Sequence, residues 1–191
     1  MKKIVFLQGP PRCGKDTVGA MLEHMLSAYE NVSAEQLKFA TPINEWMMST
    51  FGVDCNDGHD KEIGCIELFG RGRRETAIWY SEQVMKPRFG PEVFGEIMVN
   101  KLKSMRRDFF IITDSGFKDE AIPVVEEFGP ERCISIKVSR EGRDFNSDSR
   151  SYWDMDGVET IEFNNNYNNI EELRCAVDGH LFEPVIKPEW M

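Results

Sequence analysis

Gly9-Pro10-Pro11-Arg12-Cys13-Gly14-Lys15-Asp16-Thr17 follows the frame G-x-x-x-x-G-K, the spacing of a phosphate-binding loop. The chemistry needs that spacing. Glycines let the backbone curl until successive N–H groups converge on phosphate oxygens. The helix that follows turns its positive N-terminus to the same anion. Lys15 reaches the β- and γ-phosphates as a mobile point charge. Gly9, Arg12, Cys13, Gly14, Lys15, Asp16 and Thr17 are therefore the candidate nucleotide-binding residues. The strict pattern breaks at one place. A Ser or Thr should follow the lysine and offer Mg²⁺ a hydroxyl, and here Asp16 stands there with Thr17 behind it. A carboxylate is a hard-oxygen ligand for Mg²⁺, directly or through water, so Asp16 is a candidate metal residue. Cys13 sits in the positive field of the cradle, which predicts a reactive thiolate if its side chain is exposed. The alternative is a small residue whose sulfur points inward. The whole segment has a plainer reading too, a glycine-rich turn capping a helix.

The surrounding elements favour the cradle. Lys3–Gln8 is a continuous apolar strand of the kind buried on both faces. Val18, Met21, Leu22, Met25 and Leu26 then share one face of a helix. Further strands are expected at residues 36–39, 109–113, 133–138 and 158–163. Helices are expected from Pro42 through Phe51, over 74–84, over 91–106, over 118–128 with a kink at Pro123, and around Ile170, Leu173 and Val177. Residues 86–91 should break the chain between two of these helices, and 53–72 show no period. This alternation predicts an α/β layered fold. Asp114 ends a buried strand, where ligands gather in open α/β sheets, so it is a candidate for the Mg²⁺ water shell or for the acceptor. Its plainer role is a helix cap. Residues 140–156 are polar and arginine-bearing, a lid-like segment or an ordinary loop, and 180–191 read as a loosely attached tail.

Composition bounds the rest. The chain has 191 residues, 41% apolar and 29% charged, enough for a buried core in a single domain over 1–191. Its 23 Lys and Arg against 33 Asp and Glu give a formal charge of -10, which disfavours a broad grip on nucleic acid. No apolar run reaches a membrane span, and the N-terminal apolar stretch is too short for a signal peptide, which points to the cytoplasm. Five cysteines without a CxxC read as free thiols. Cys55, His59 and Cys65 do not match a common zinc spacing, and Asp54 to Gly58 only approximates a calcium loop.

Gly14-Lys15-Asp16-Thr17 resembles the phosphate loop of the bacteriophage deoxynucleoside monophosphate kinase family. Leu37-Lys38-Phe39-Ala40-Thr41-Pro42-Ile43, Arg74-Glu75, Arg88-Phe89-Gly90-Pro91-Glu92-Val93-Phe94, Phe110-Ile111-Ile112-Thr113-Asp114 with Glu120-Ala121, and Val138-Ser139-Arg140 are similar to later family segments in the same order. The resemblance spans about residues 3–174. It departs at Gly116, where the family often carries an arginine, and in the shorter stretch 53–72.

The resemblance implies a three-layer P-loop kinase fold: a parallel sheet of about five strands, helices on both faces and a small lid over 140–156. It implies transfer of the γ-phosphoryl group of ATP, with Mg²⁺, to a dNMP, giving dNDP and ADP. The acceptor region would be about 38–106. Such a reaction gathers several negative phosphates, so cations must converge. Lys15, Arg74, Arg88, Asp114 and Arg140 would be catalytic. Lys38, Phe39, Arg74, Arg88 and Asp114 would bind the acceptor, Arg140 and Asn164 the nucleotide, and Asp16 and Asp114 the metal. Arg143 and Arg150 are weaker basic candidates. Trp79, Tyr80, Phe89 and Phe94 could form a base-stacking wall or simply be core. The expected partners are ATP and the dNMP, without nucleic acid or membrane. A homodimer is left open, and the compartment would be a host cytoplasm if the chain is phage-encoded. Two rivals remain: a P-loop kinase with another acceptor (a small metabolite or a modified base in DNA), and a non-catalytic nucleotide-binding module.

Overall fold

Val5 pairs with Ile111 on one side and Ile134 on the other, which places the first strand in the middle of a sheet. The computed structural model describes residues 2–55, 60–146 and 148–186. Within them β1 (Lys3–Gln8), β2 (Ala34–Leu37), β3 (Phe109–Ile112), β4 (Cys133–Ser139) and β5 (Glu159–Asn164) form one sheet in the order β2-β3-β1-β4-β5. Every neighbouring pair is parallel. Parallel neighbours need crossovers. Those before β4 run through α1 (Lys15–Ser27), α2 (Thr41–Phe51), α3 (Arg73–Tyr80), α4 (Lys86–Phe89), α5 (Val93–Ser104) and α6 (Lys118–Phe128). The one from β4 to β5 runs through 140–158 with no helix among the described residues, and α7 (Ile170–Val177) follows the last strand.

Alternation along β1 explains the layers. Ile4 and Phe6 face Ile43 and Met47 of α2, Phe94, Met98 and Leu102 of α5, and Val124 of α6. Val5 and Leu7 face the opposite way, toward Val18, Leu22 and Leu26 of α1 and Leu173 and Val177 of α7. Both faces are covered, which is why the strand reads as an unbroken apolar run. The three-layer α/β architecture is the one the sequence predicts. The order reverses at β1, with β2 and β3 to one side and β4 and β5 to the other. The carboxyl ends of β1, β3 and β4 therefore open the crevice where ligands of such sheets bind.

Several local expectations change. The chain does not break at residue 86. After α3 it passes through one wide helical turn, Ser81–Met85, into α4, and the break comes at Gly90, whose φ is 95°. Pro87 closely follows the wide turn Ser81–Met85, whose altered hydrogen-bond pattern accommodates a residue without an N–H. The tail is not loose over its described part: helical backbone continues through Asp178–Ile186 and buries Leu181, Phe182 and Ile186 against the α1 side of the sheet. Residues 187–191 lie outside the described residues. The lid-like segment is anchored at its far end by Trp153, which is buried. Its backbone N–H donates to Gln8 Oε1 at 2.7 Å, and its indole N–H donates to the Ser115 carbonyl at 3.2 Å.

Candidate active site

The loop after β1 is built as its sequence requires. Gly14 has φ 97°, and a Cβ there would run into the Asn165 amide. Gly9 is also at positive φ, wedged against the Val138 carbonyl and Cys13 Sγ. Side chains at either position would strain the backbone and block the loop. Lys15 opens α1 and folds back over the cradle, donating to the Gly9 carbonyl at 2.7 Å and the Pro10 carbonyl at 2.8 Å. Burial holds its pKa below the ordinary lysine value, and the nearby positive charge of Arg150 adds to that. A lysine spending its protons on loop carbonyls is ready to exchange them for phosphate oxygens. Arg12, at the apex, is exposed with φ 61°.

Cys13 is fully buried, so the reactive-thiol expectation fails; its sulfur points inward, 3.7 Å from Lys15 Nζ. Its carbonyl accepts from Asn165 Nδ2 at 2.8 Å. Asn164, the residue expected at the adenine, ends β5 exposed, and its neighbour Asn165 is the one that braces the loop. Thr17 turns outward with Ala20, Met21 and His24 along a groove on α1, so its hydroxyl does not take the missing metal-ligand role.

Asp16 takes a different position. Its Oδ1 accepts from Thr113 Oγ1 at 2.8 Å and pairs with Lys38 Nζ at 2.8 Å, while two thirds of the side chain stays exposed. Burial acts to raise its pKa, but the bonds from Lys38 and Thr113 win and hold it below the usual carboxylate value. The carboxylate is thus ionised, with an oxygen left for solvent. That fits Mg²⁺, which keeps most of its water and phosphate ligands and takes one or two carboxylates.

Asp114 fits less well as a metal residue. Its Oδ1 accepts from the Phe39 N–H at 2.8 Å and its Oδ2 from the Ala40 N–H at 3.0 Å, just before α2 begins. The sequence allowed a cap on the helix starting at Lys118; the bonds go to the head of α2 instead. Burial pushes the carboxyl above its ordinary value, against the pull of those N–H groups and of Lys38 and Arg150. Phe39 itself is a core side chain, 2% exposed, and presents no ring to a ligand.

Arg74 reaches the site and Arg88 does not. Arg74 pairs with Asp148 at 2.9 Å. Arg88 is exposed on α4, and the inward cation of that turn is Lys86, whose Nζ lies 4.5 Å from the centre of the Phe117 ring. Arg140 is exposed where the chain leaves β4. Arg150 is the larger surprise. It forks onto Asp148, and its charge reaches Lys15, Asp114 and Glu120. A Cβ at Gly116, where the resembling family often has an arginine, would overlap the Arg150 stem. Glu120, 6% exposed, faces Asp114, Lys86, Glu82 and Arg150, and burial pushes its pKa up to about 8. The missed residues Asp148, Asn165 and Lys86 carry no motif, Glu120 stands in a family-like segment without an assigned role, and Arg150 is only a weaker basic candidate in the sequence.

The stacking candidates divide. Phe94 is core, and Tyr80 stacks on Trp46 with ring centres 3.9 Å apart. Trp79 lines an open cavity of about 390 Å³ with Trp46, Phe51, Phe69 and Glu75, on a different side of α3 from Arg74. Phe89 is exposed. His59 and residues 56–58 of the calcium-like stretch lie outside the described residues. Among the described residues no helix is long and apolar enough to cross a membrane.

The fold is a parallel five-stranded sheet between helices, with a phosphate-binding loop after its first strand. No family model matches the chain. A phosphomevalonate kinase of Drosophila melanogaster is 25% identical over 144 residues, which is 73% of this chain and 68% of that protein. Among solved structures, a sugar kinase from a Janibacter species aligns over 93% of each chain at 12% identity, with a TM-score of 0.47. The thymidylate kinase of Candida albicans aligns over 91% of this chain and 88% of its own at 10% identity, with a TM-score of 0.38.

Proposed function

We propose that the chain is an ATP-dependent phosphotransferase that passes the γ-phosphoryl group to a small phosphorylated acceptor, a deoxynucleoside monophosphate by the resemblance of its segments. The observation that carries this is Lys15 folded over the Gly9 and Pro10 carbonyls of a glycine-built phosphate loop, with Lys38 paired to the adjacent Asp16. Lys38, from a separate part of an acidic chain, thus meets the loop at Asp16, next to Lys15. Phosphoryl transfer asks for that arrangement, because it is mostly alignment and charge neutralisation. Asp16 would hold Mg²⁺ through water, and the ion would supply charge neutralisation between the β- and γ-phosphates. Lys15 would bind those phosphates, and the loop N–H groups would orient them.

The phosphomevalonate kinase relative favours a second reading, in which the acceptor is a phosphorylated metabolite without a base. A panel of dNMPs, NMPs and phosphomevalonate, each with ATP and Mg²⁺ and read as ADP release, separates the two. Turnover with dNMPs supports the first reading, and turnover with phosphomevalonate alone replaces it with the second.

A further inference from the structure

The segment after β4 buries one carboxylate that the proposed transfer does not use. The Asp148 side chain is 3% exposed, although Arg143, Asp144, Asn146 and Ser149 around it are exposed. Two guanidiniums from separate elements enclose it. Arg74 donates to Oδ2 at 2.9 Å. Arg150 donates through Nε to Oδ1 at 2.8 Å and through a terminal nitrogen to Oδ2, and its backbone N–H adds a bond to Oδ1 at 3.0 Å. Arg74 also pairs with the exposed Glu62 at 3.6 Å, so the two guanidiniums share one buried and one exposed carboxylate. Guanidinium forks match phosphate oxygens as well as carboxylate oxygens. Without an anion between them, Arg74 and Arg150 would be like charges held together in a poorly solvated place, which is costly.

We infer that Arg74 and Arg150 form the clamp for the acceptor's phosphate monoester, and that Asp148 is the clamp's internal occupant, exchanged for that phosphate when the acceptor arrives. The inference rests on the phosphotransferase reading of the same site. A phosphate dianion, with more charge and a further oxygen, gains more from two guanidiniums than a carboxylate does. Asp148 stands on a stretch without helix or strand, so it can leave without unpicking the sheet. The same stretch is tied down beyond it, where Tyr152 donates to the Val138 carbonyl at 2.9 Å and Trp153 is buried, so the exchange is local. An acceptor that offers only hydroxyl groups has no charge to compete with Asp148 and leaves it in place. The clamp thus selects phosphorylated acceptors.

The test titrates inorganic phosphate into the unaltered protein, Asp148→Asn and Asp144→Asn by calorimetry at fixed ionic strength. If Asp148 fills the clamp about 90% of the time, removing its charge tightens phosphate binding about tenfold. Asp144→Asn removes the same charge from an exposed neighbour and should change affinity less than twofold. Equal or weaker phosphate binding by Asp148→Asn overturns the inference, since Asp148 then only holds the arginines in place. Should that variant fail to fold, amide exchange in the unaltered protein decides. Phosphate should speed exchange at the Arg150 N–H, which is bonded to Asp148; unchanged or slower exchange overturns the exchange of anions. Both readouts are binding, not turnover. A failure here leaves the phosphotransferase reading standing, and a protein that binds phosphate as described but turns over no acceptor defeats that reading alone.

Discussion

Lys38 Nζ lies 2.8 Å from Asp16 Oδ1, and this ion pair ties the phosphate loop to the segment between β2 and α2. Lys38 follows β2 directly, and Asp16 stands in the first turn of α1. The lysine partly neutralises a carboxylate that would otherwise repel phosphates.

From that pairing follows a metal dependence. Without Mg²⁺, ATP must approach Asp16 uncompensated beyond what Lys38 supplies, so affinity should fall by roughly tenfold or more when the metal is chelated. Asp16→Ser should narrow the gap. Equal ATP affinity with and without Mg²⁺ in the unaltered protein would remove Asp16 from the metal.

Asp114 predicts a stability effect in place of a metal effect. Its oxygens accept the Phe39 and Ala40 N–H groups, and Asp114→Asn offers one of those donors an amide instead. The loss should be about 1–2 kcal/mol, as for a removed cap. For a chain of this size that lowers the thermal midpoint by roughly 2–8 °C. The Mg²⁺ dependence of ATP binding should stay within about twofold, which a calorimetric titration checks.

How much of this was legible in the sequence differs by level. The phosphate loop, the five strands and the packing of α1 follow from residue types and spacing, because glycine geometry and period-2 burial are local rules. The Arg150–Asp148–Arg74 linkage is not local: it joins a loop to a helix 74 residues away. Nothing in the composition of 140–156 separates Arg150 from Arg140 or Arg143. Arg88 and Lys86 were confused because the wide turn Ser81–Met85 shifts the helix phase, which spacing alone cannot show. Asn164 was one residue from Asn165 because strand alternation ends there.

Glu120 gives a pH dependence. Its folded pKa, about 8, is above its ordinary 4.5, so the folded protein binds more protons than the unfolded chain between those values. The contribution of Glu120 to stability is therefore fully present below about pH 4.5 and is lost as pH rises toward 8. Glu120→Gln should flatten that slope. Thermal melts should show the variant gaining about 5 °C or more over the unaltered protein at pH 8.5 and little at pH 5. Parallel curves for the two proteins would show that Glu120 is not the group responsible.

Thiol chemistry should follow exposure. Cys175 is exposed, while Cys13 and Cys133 are buried, and burial pushes the Cys133 thiol up to about 12. Alkylation with mass mapping should label Cys175 first and leave Cys13 unmodified even without nucleotide. Early labelling of Cys13 would mean that the loop opens in solution.

The central claim is phosphoryl transfer at the loop closed by Lys15. The most direct measurement compares ADP release from MgATP by the unaltered protein and by folded Lys15→Ala, each with a saturating phosphorylated acceptor. The loss of the cradle's lysine should lower turnover by about 10²-fold or more while the thermal midpoint stays close to that of the parent. Near-normal turnover by a folded Lys15→Ala protein would contradict the account.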